Sequence, residues 1–488
     1  MHVVLGTLLA MTAWQALAVE DETAAALGEN ALAVGSWRAW LATKGGELPF
    51  ALELARDDTG EHPRWCATIG NGRERIAVPE MVVDGEAAAV ELRFPHYDSV
   101  ITATVAADGL RLTGTWRKRR SATEWLELPF HAIAGPARRF TDAVLHAPPA
   151  DADRALLARE LSAAITAASG RFAVKFDSSE EPAVGEFAFA AERETNGATT
   201  GEAIGDVTAT FLTTTGDYRY LAGQLDRGWP GDDGLVGCSD DGLPHHFLRL
   251  SCFDGAHAFL FSAELQPDGT LQGGFWSGDR WYEGWTARRD PTAKLPDGFA
   301  LTKANGAVSF GDLAFPQVFP AIEEALSPAT TATTATTDAT VRRLDDPAFA
   351  GKVRVLQVFG SWCPNCHDAC DELVMLHREY GARGLSIVGL AFELTGDRAR
   401  DSEQVRRYAA RHGVTWPLLL AGTSDKQAAT ASLGLLDRVH AYPTTLFLDA
   451  TGTVRHVYNG FCGPATGAAY AAQHAEFVRV IEELLQER

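Results

Sequence analysis

The sequence predicts a multidomain protein in which two antiparallel β modules are followed by a C-terminal α/β domain. Residues 36–290 contain short alternating apolar runs separated by Asn-Gly and Asp-Gly pairs, a pattern typical of β-hairpins. In the last third of the chain, apolar runs alternate with longer stretches of helical periodicity, which is typical of a sheet with crossover helices. The length of 488 residues is sufficient for about three domains.

The first 18 residues have the features of a cleaved secretory signal peptide. Residues 3–18 form a short apolar run with an Ala-x-Ala end at Ala16 and Ala18, too short for a membrane span. Only His2, and no Lys or Arg, precedes this run. We expect the mature protein to be periplasmic or secreted, with no membrane insertion after signal cleavage.

The charge balance argues against two classes of partner. The chain has 43 Lys and Arg against 64 Asp and Glu, for a formal charge of −21. Nucleic acids and anionic membrane surfaces need a basic footprint on the protein. We therefore expect neither as a partner, and we attribute the acidity to solubility.

The first β module is predicted over residues 36–145 and the second over 170–290. Runs such as 50–54 and 99–105 alternate between apolar and polar residues, as in half-buried strands. The segment 149–169 is rich in Ala, Leu and charged residues and has no internal Gly or Pro. It is predicted to form a helix that connects the modules.

A pattern shared by the two modules indicates an internal duplication. It consists of an Asp-Gly turn, a later glycine and a tryptophan, found at Asp108, Gly109, Gly114 and Trp116 and again at Asp268, Gly269, Gly274 and Trp276. Upstream, Tyr97-Asp98 corresponds to Phe253-Asp254 once a four-residue insertion is allowed. The alternative explanation is that Asp-Gly turns followed by a tryptophan recur by chance in β proteins.

Aromatic residues are concentrated in the second module. They are Tyr218, Tyr220, Phe259, Phe261, Phe275, Trp276, Trp281, Tyr282 and Trp285. Such a cluster forms either a platform for sugars or peptides or, more commonly, the core. The spacing of Phe259 and Phe261 favours the core for those two, whereas Trp281 and Tyr282 follow a Ser-Gly-Asp turn and fit a loop edge.

The C-terminal domain, predicted over 310–488, is organised around a C-x-x-C motif at Cys363 and Cys366. The motif follows a β-branched apolar run at 353–359 and opens a predicted helix at 364–380. Unpaired N–H groups and the helix dipole favour an anion at a helix N-terminus. We therefore expect the Cys363 thiol to ionise more easily than a free cysteine and to be the attacking nucleophile.

The sequence Trp-Cys-Pro-Asn-Cys from Trp362 resembles the active site of the thioredoxin superfamily, and within it the TlpA/ResA-type thiol-disulfide oxidoreductases. Residues 441–445 resemble the cis-proline loop that, in such folds, packs against the cysteine pair and offers backbone to a bound peptide. The resemblance implies substrate docking at Trp362, Tyr442, Pro443 and Thr444.

The remaining elements follow the order of a thioredoxin-type sheet with the added βα unit that TlpA/ResA-type domains have. They are a strand at 385–392, a helix at 401–412, a strand at 416–420, the proline loop, a hairpin through 449–452 and a helix at 468–486. An apolar stretch at 313–326 places the start of the domain near residue 310. The Thr/Ala-rich segment 328–340 is predicted to be an exposed loop.

Seven cysteines leave an odd one after pairing. Cys238 and Cys252 are candidates for a structural disulfide in an oxidising compartment. Cys370 lies one helical turn after Cys366, so it is either a regulatory partner of that thiol or a buried, inert one. Cys462 is a candidate third redox thiol, because the loop after the last hairpin approaches the active site in thioredoxin folds.

Two carboxylates that related proteins use for proton transfer are absent. Gln357 stands where thioredoxins have a buried acid, and Ala369 stands where ResA-type proteins have a glutamate. Glu393 and His367 are candidate substitutes, and each also fits an ordinary surface position. Without a base, resolution by Cys366 should be slow near neutral pH and should accelerate toward about pH 8 to 9.

Together these features predict an extracytoplasmic thiol-disulfide oxidoreductase whose only redox group is the Cys363–Cys366 disulfide, with no other cofactor and no metal. The alternatives for the cysteine pair are a structural disulfide or half of a zinc site, but no second C-x-x-C completes a tetrahedral zinc site. The resemblance implies reduction of a disulfide-bearing protein, with electrons from a membrane donor.

Two other functions stay open. In one alternative, the β modules are the functional part of a ligand- or surface-binding protein whose thioredoxin domain is a degenerate scaffold. A thiol peroxidase is disfavoured, because no Thr or Ser precedes the pair in the peroxiredoxin pattern.

Overall fold

The structure is a computed structural model that describes residues 32–59, 64–141, 154–190, 205–228, 245–305, 313–319 and 341–488. Three predicted features lie outside these residues: the signal peptide at 1–18, Cys238 and the Thr/Ala-rich loop at 328–340. Among the described helices, none combines the length and the apolar character that a bilayer crossing requires.

An open antiparallel sheet of nine strands forms the N-terminal unit, which we call the half-barrel. Its strands are β1 (Gly35–Thr43), β2 (Gly46–Asp57), β3 (Arg64–Asn71), β4 (Glu74–Ala77), β5 (Glu80–Asp84), β6 (Ala89–Phe94), β7 (Ser99–Val105), β8 (Arg111–Arg119) and β9 (Trp125–Ala134). Their spatial order is β4-β3-β2-β1-β9-β8-β7-β6-β5. The predicted Asn-Gly and Asp-Gly pairs lie in the turns β3–β4, β5–β6 and β7–β8.

The second unit is a closed antiparallel barrel. Its strands are β10 (Gly170–Phe176), β11 (Ala183–Phe189), β12 (Asp206–Thr213), β13 (Gly216–Asp217), β14 (Leu221–Gly228), β15 (His245–Phe253), β16 (Ala258–Leu265), β17 (Leu271–Ser277) and β18 (Trp281–Arg289). Pairing of β11 with both β10 and β12 closes the sheet. Before the barrel, helix α1 (Arg154–Ala168) lies within the segment where a connecting helix is predicted.

The repeated residues occupy corresponding positions in the two sheets. Gly109 and Gly269 have positive φ values of 68° and 81° in the turns β7–β8 and β16–β17. Trp116 and Trp276 lie on the strands that follow these turns. Both belong to one core cluster, Trp116 from the half-barrel and Trp276 from the barrel wall. The correspondence of turn and strand supports the duplication.

Most of the aromatic residues of the second module form the barrel core. The core includes Phe259, Phe261, Phe275 and Trp285, with Tyr218 packed against it. Trp281 and Tyr282 are exposed, but they are the first two residues of β18 and so belong to a strand, directly after the turn. The aromatic cluster therefore stabilises the barrel mainly through burial.

The half-barrel and the barrel share buried surface. Phe253 and Leu260 of the barrel belong to the core cluster of the half-barrel. Asn71 Nδ2 donates to the carbonyl of Phe253 at 2.9 Å, and Ser251 Oγ donates to the carbonyl of Pro49 at 2.6 Å. Because these polar groups are buried and paired across the junction, separating the units would expose both apolar surface and unmet hydrogen bonds.

The third unit is an α/β domain with a seven-stranded sheet ordered β20-β19-β23-β22-β21-β24-β25. Its strands are β19 (Ala314–Phe319), β20 (Val341–Arg343), β21 (Val353–Phe359), β22 (Leu385–Glu393), β23 (Leu418–Thr423), β24 (Thr444–Leu448) and β25 (Val454–Asn459). Its helices are α2 (Pro364–Tyr380), α3 (Arg398–His412), α4 (Lys426–Leu433) and α5 (Ala468–Gln486). The central strand β21 runs parallel to β22 and antiparallel to β24.

Most predicted elements of this domain occur within a few residues of their predicted ends. Helix α4 was not predicted, although its capping signals are present. The Asp425 carboxylate accepts from the N–H of Ala428 at the start of the helix, and Gly434 ends it in the left-handed conformation. A helix of only eight residues gives a weak periodic signal.

A buried charge cluster joins all three units. We call it the Arg219 cluster; it consists of Glu74 in the half-barrel, Asp217, Arg219 and Asp254 in the barrel, and Asp368 in α2. Arg219 lies 3.7 Å from Glu74 and 3.5 Å from Asp254, and it also contacts the carboxylate of Asp368. Burial raises the pKa of Glu74 to about 7 and that of Asp368 to about 6. The guanidinium offsets this cost of burying negative charge.

Replacing Arg219 with Met should destabilise the protein, because it leaves the carboxylates of Glu74, Asp254 and Asp368 without their cation. The expected loss is roughly 3 to 5 kcal/mol in the free energy of unfolding. Thermal unfolding followed by circular dichroism checks it. The matched control is Arg288→Met, which removes an exposed ion pair to Asp268 and should cost less than about 1 kcal/mol. Equal losses in the two variants would contradict the proposed role of the cluster.

Candidate active site

The two cysteines of the motif lie at the start of α2 in different environments. Cys363 is the N-cap residue, and its sulfur accepts a hydrogen bond from the N–H of Cys366 at 3.3 Å. Pro364 occupies the first helical turn, where its missing N–H costs no hydrogen bond. Cys363 is 7% exposed, whereas Cys366 is completely buried. Cys363 is therefore the more accessible of the two thiols.

The proline loop lies directly against Cys363. The Tyr442–Pro443 peptide bond is cis, and the Cys363 thiol donates to the carbonyl of Tyr442 at 3.5 Å. Thr444 is fully buried, and its hydroxyl donates to the carbonyl of Ala441 at 2.8 Å. Thr444 thus holds the loop, while the backbone of Tyr442 faces the reactive sulfur.

Trp362 connects the motif to the neighbouring strand and to the proline loop. Its indole N–H donates to the carbonyl of Phe392 at 2.9 Å. Its ring meets the Tyr442 ring edge-on, with 5.5 Å between the centroids. Of the four predicted docking residues, Trp362 and Tyr442 therefore lie together beside Cys363.

Cys366 is held in a state that resists ionisation. Burial, together with the neighbouring Cys363 and Glu393, raises the pKa of the Cys366 thiol well above 9.0. The Tyr408 hydroxyl donates to the carbonyl of Cys366 at 2.8 Å and fixes this turn of the helix. A group that accepts the proton of Cys366 would therefore aid its attack.

Glu393 is buried beneath the active-site loop and is not an ordinary surface residue. Its two carboxylate oxygens accept from the N–H and the hydroxyl of Ser361, at 2.8 and 2.7 Å. Burial raises the pKa of Glu393 to about 7, and the hydrogen bonds from Ser361 oppose this rise. The carboxyl group can therefore both accept and release a proton near neutral pH.

His367 is also buried, but its ring nitrogens contact groups other than the cysteines. Nε2 lies 2.8 Å from the carbonyl of Ser361 and so acts as a donor, and Nδ1 lies 2.7 Å from Nε2 of His412. His412 in turn contacts Asp371 at 2.5 Å. Burial and the nearby His412 lower the pKa of His367 well below 6.5. This geometry fits a neutral ring that positions the active-site loop.

The positions of the two missing carboxylates are buried. Gln357 lies on β21, and neither its amide oxygen nor its amide nitrogen has a hydrogen-bond partner in the described part of the chain. Ala369 belongs to the core of the domain. A glutamate at position 357 would be nearly isosteric with the present glutamine. At position 369 it would be much larger than the present alanine and would require new space in the core.

Three other cysteines, Cys252, Cys370 and Cys462, have thiols whose ionisation is disfavoured by burial. Cys370 is completely buried, and burial raises its pKa to about 12. Burial likewise raises the pKa of Cys462 to about 12. Cys252 is buried in the barrel, and its candidate partner Cys238 lies outside the described residues. The high pKa values favour an inert role for Cys370 and Cys462 at neutral pH.

Cys363 opens into a cleft of about 480 Å³, which we call the active-site cleft. All three units line it. The half-barrel contributes residues 118–120 and 126, and the barrel contributes 213, 215–218, 256–259, 277 and 278. The α/β domain contributes 362–365, 394, 426, 441 and 442. The β12–β13 turn packs tightly on the start of α2, since a Cβ at Gly216 would lie 2.0 Å from Asn365 Nδ2. No local sequence pattern indicated this contribution of the β modules.

Comparison with known proteins places this site in a recognised type of domain. A family model described as Redoxin matches residues 322–470. Over 110 residues the chain is 27% identical to the thioredoxin-like protein YneN of Bacillus subtilis, covering 22% of this chain and 58% of that protein. Over 106 residues it is 29% identical to the thiol:disulfide interchange protein DsbE of Allochromatium vinosum, covering 22% of this chain and 50% of that protein. The chain thus spans about half the length of these curated relatives.

Similar solved structures include two proteins that are named for thiol-disulfide chemistry. One is a thiol:disulfide interchange protein of the thioredoxin family from Chlorobium tepidum, with 21% identity, a TM-score of 0.24, and coverage of 31% of this chain and 91% of that one. Another is a secreted thiol-disulfide isomerase from Corynebacterium glutamicum, with 19% identity and a TM-score of 0.24. The match covers 35% of this chain and 86% of that one. Residues 322–470, which contain the C-x-x-C helix and the proline loop, thus match the Redoxin model, and the C-terminal third of the chain has the βα-crossover sheet of a thioredoxin-like fold.

Proposed function

We propose that the protein is an extracytoplasmic thiol-disulfide oxidoreductase that reduces disulfides through Cys363 and Cys366. The observation that carries the proposal is the position of the Cys363 sulfur. It lies at the N-terminus of α2, 3.5 Å from the carbonyl of Tyr442 in the proline loop, and it faces the active-site cleft. A substrate disulfide in the cleft can reach this sulfur, while an extended segment pairs with the backbone of the loop.

The reaction proceeds by two thiol-disulfide exchanges. The thiolate of Cys363 attacks one sulfur of the substrate, a new S–S bond forms, and the other substrate sulfur leaves as a thiolate that takes a proton from solvent. Cys366 then loses its proton and attacks the sulfur of Cys363. The Cys363–Cys366 bond forms, and the second substrate thiol is released. The substrate gains two electrons, and the protein loses two.

Proton transfer from Cys366 is assigned to Glu393. Cys366 has a raised pKa, and Glu393 is close enough for its charge to contribute to that rise. The pKa of Glu393, about 7, suits a group that accepts a proton at neutral pH. His367 is the less suited candidate, because burial and the nearby His412 hold its pKa well below 6.5.

The proposal includes the compartment and the electron donor. The signal-like segment at 1–18 supports export, so the protein would act in the periplasm or outside the cell. A dithiol donor at the membrane would return the Cys363–Cys366 disulfide to its reduced form. The substrate would be a disulfide-bearing protein.

Substitution of single cysteines by serine tests the roles of the two thiols. In an insulin-reduction assay with dithiothreitol, the protein should accelerate reduction, and Cys363→Ser should return the rate to that of dithiothreitol alone. Cys366→Ser should instead trap a mixed disulfide, visible by non-reducing electrophoresis and mass spectrometry. The control is Cys66→Ser, which changes an exposed thiol of the half-barrel and should leave the rate unchanged. Full activity of Cys363→Ser would refute the proposal.

The pH dependence of the second step tests the role of Glu393. Only the ionised carboxylate accepts a proton, so the resolution rate should rise as pH increases through about 7 and then level off. Glu393→Gln should slow resolution by about 100-fold and move the rise to the range where Cys366 itself ionises. Acid-quenched single turnovers analysed by mass spectrometry give this rate.

Gln357→Glu serves as the rescue variant in the same experiment. The new carboxylate has nearly the shape of the unpartnered Gln357 amide, and in the Glu393→Gln background it should restore part of the lost rate. A profile of Glu393→Gln that matches the unmodified protein would show that Glu393 does not take the proton.

A further inference from the structure

We infer that the active-site cleft selects disulfides flanked by carboxylates, which bind the ammonium groups of Lys118 in the half-barrel and Lys426 in the α/β domain. The inference rests on the proposed function, because it names the substrate class that reaches Cys363. It makes the β modules part of the substrate site.

The charged residues that line the cleft are predominantly basic. They are Lys118, Arg119, Arg120 and Lys426, against the single carboxylate of Asp217. Asp217 is already engaged, because it accepts from the N–H groups of Gly463 and Arg219, at 3.0 and 3.1 Å. The cleft is therefore basic although the whole chain is strongly acidic.

The two arginines and the imidazole of His257 already have carboxylate partners. Arg119 pairs with Asp98. Arg120 contacts Asp279 at 2.6 Å. His257 lies 3.1 Å from Asp254. These pairs hold the walls of the cleft, and they leave the two lysines as the cations available to a ligand.

Neither lysine forms an ion pair within the described residues. Lys118 Nζ donates to the carbonyl of Ala256 at 2.9 Å, and Lys426 Nζ donates to the carbonyl of His440 at 2.7 Å. An ammonium has three donors, so each lysine keeps N–H groups for a substrate carboxylate. The charge of Asp254 raises the pKa of Lys118, and that of Glu181 raises the pKa of Lys426. The charge of Cys363 acts on both lysines in the same direction, which places them within electrostatic reach of the reactive sulfur.

Partial burial makes the Lys118 site more receptive to an anion. Burial lowers the pKa of Lys118 to about 8, since the charged form is poorly solvated there. A carboxylate bound beside Lys118 would stabilise the charged ammonium in place of the missing water. Burial also lowers the pKa of Lys426, which offers a second contact at the start of α4.

The dimensions of the cleft limit what can enter. Its volume of about 480 Å³ falls within the range of sites for small ligands and short peptide segments. Cys363 is only 7% exposed, and the β12–β13 turn packs on the adjacent helix start. A short, extended segment that carries the disulfide fits these dimensions.

Three peptides of equal length test this charge selectivity. Each has a central cysteine, activated as a mixed disulfide with 4-thiopyridine, flanked on both sides by Glu, by Gln or by Lys. Full-length Cys366→Ser protein is mixed with each peptide, and the adduct at Cys363 is quantified by site-resolved mass spectrometry after acid quench. Each rate is divided by the rate of the same peptide with 2-mercaptoethanol, which removes the intrinsic reactivity of the probe.

The Glu peptide should react about tenfold faster than the Gln peptide at low salt, and the Lys peptide should be the slowest. The advantage of the Glu peptide should shrink as salt rises. Lys118→Gln and Lys426→Gln should each reduce the Glu-to-Gln rate ratio several-fold. The matched control is Lys175→Gln, an exposed lysine of β10 outside the cleft, and it should leave the ratio unchanged.

A Glu-to-Gln rate ratio near one would overturn the inference. It would also be overturned if both lysine variants kept the ratio, or if they slowed all three peptides equally, since the lysines would then act on the thiol and not on the substrate. Absence of a Cys363 adduct with every peptide would instead refute the proposed function itself. The two failures are therefore distinguishable.

Discussion

The arrangement of the active site depends on one buried cation, the guanidinium of Arg219. It contacts carboxylates from all three units: Glu74, Asp254 and Asp368. Buried charges are tolerated only when they are paired, so this cluster favours a single docking geometry of the units. Asp368 lies two residues after Cys366 on α2, and its pairing therefore fixes the active-site helix against the barrel. The cleft in front of Cys363 is thus a property of the whole chain and not of the α/β domain alone.

The two thiols are separated by environment although they lie one helical turn apart. Cys363 caps α2 and faces the cleft, while Cys366 is completely buried. The positions where related proteins have an acid hold Gln357 and Ala369, but Glu393 brings a carboxyl group to the same region from β22. Its burial raises its pKa to about 7, which a surface glutamate would not have. A different residue can thereby supply the proton acceptor.

The local features of this site could be predicted from the sequence, but the walls that the β modules add to the cleft could not. Strand β21 and helix α2 were predictable, because an apolar β-branched run and a helix start give strong local signals. The roles of Lys118 and Arg219 were not, because they depend on contacts between units distant in the chain. The burial of Glu393 was equally hidden, since its position at the end of a strand fits both a surface and a buried side chain.

The central claim is that Cys363 is approached through a cleft whose walls include both β modules. Reagents with the same maleimide group but different size test it directly: N-ethylmaleimide and a maleimide attached to a long polyethylene glycol chain. Exposed Cys66 is the reference in the same molecule. On reduced protein, the account predicts that the large reagent loses far more of its rate at Cys363 than at Cys66. An equal loss at both thiols would contradict it.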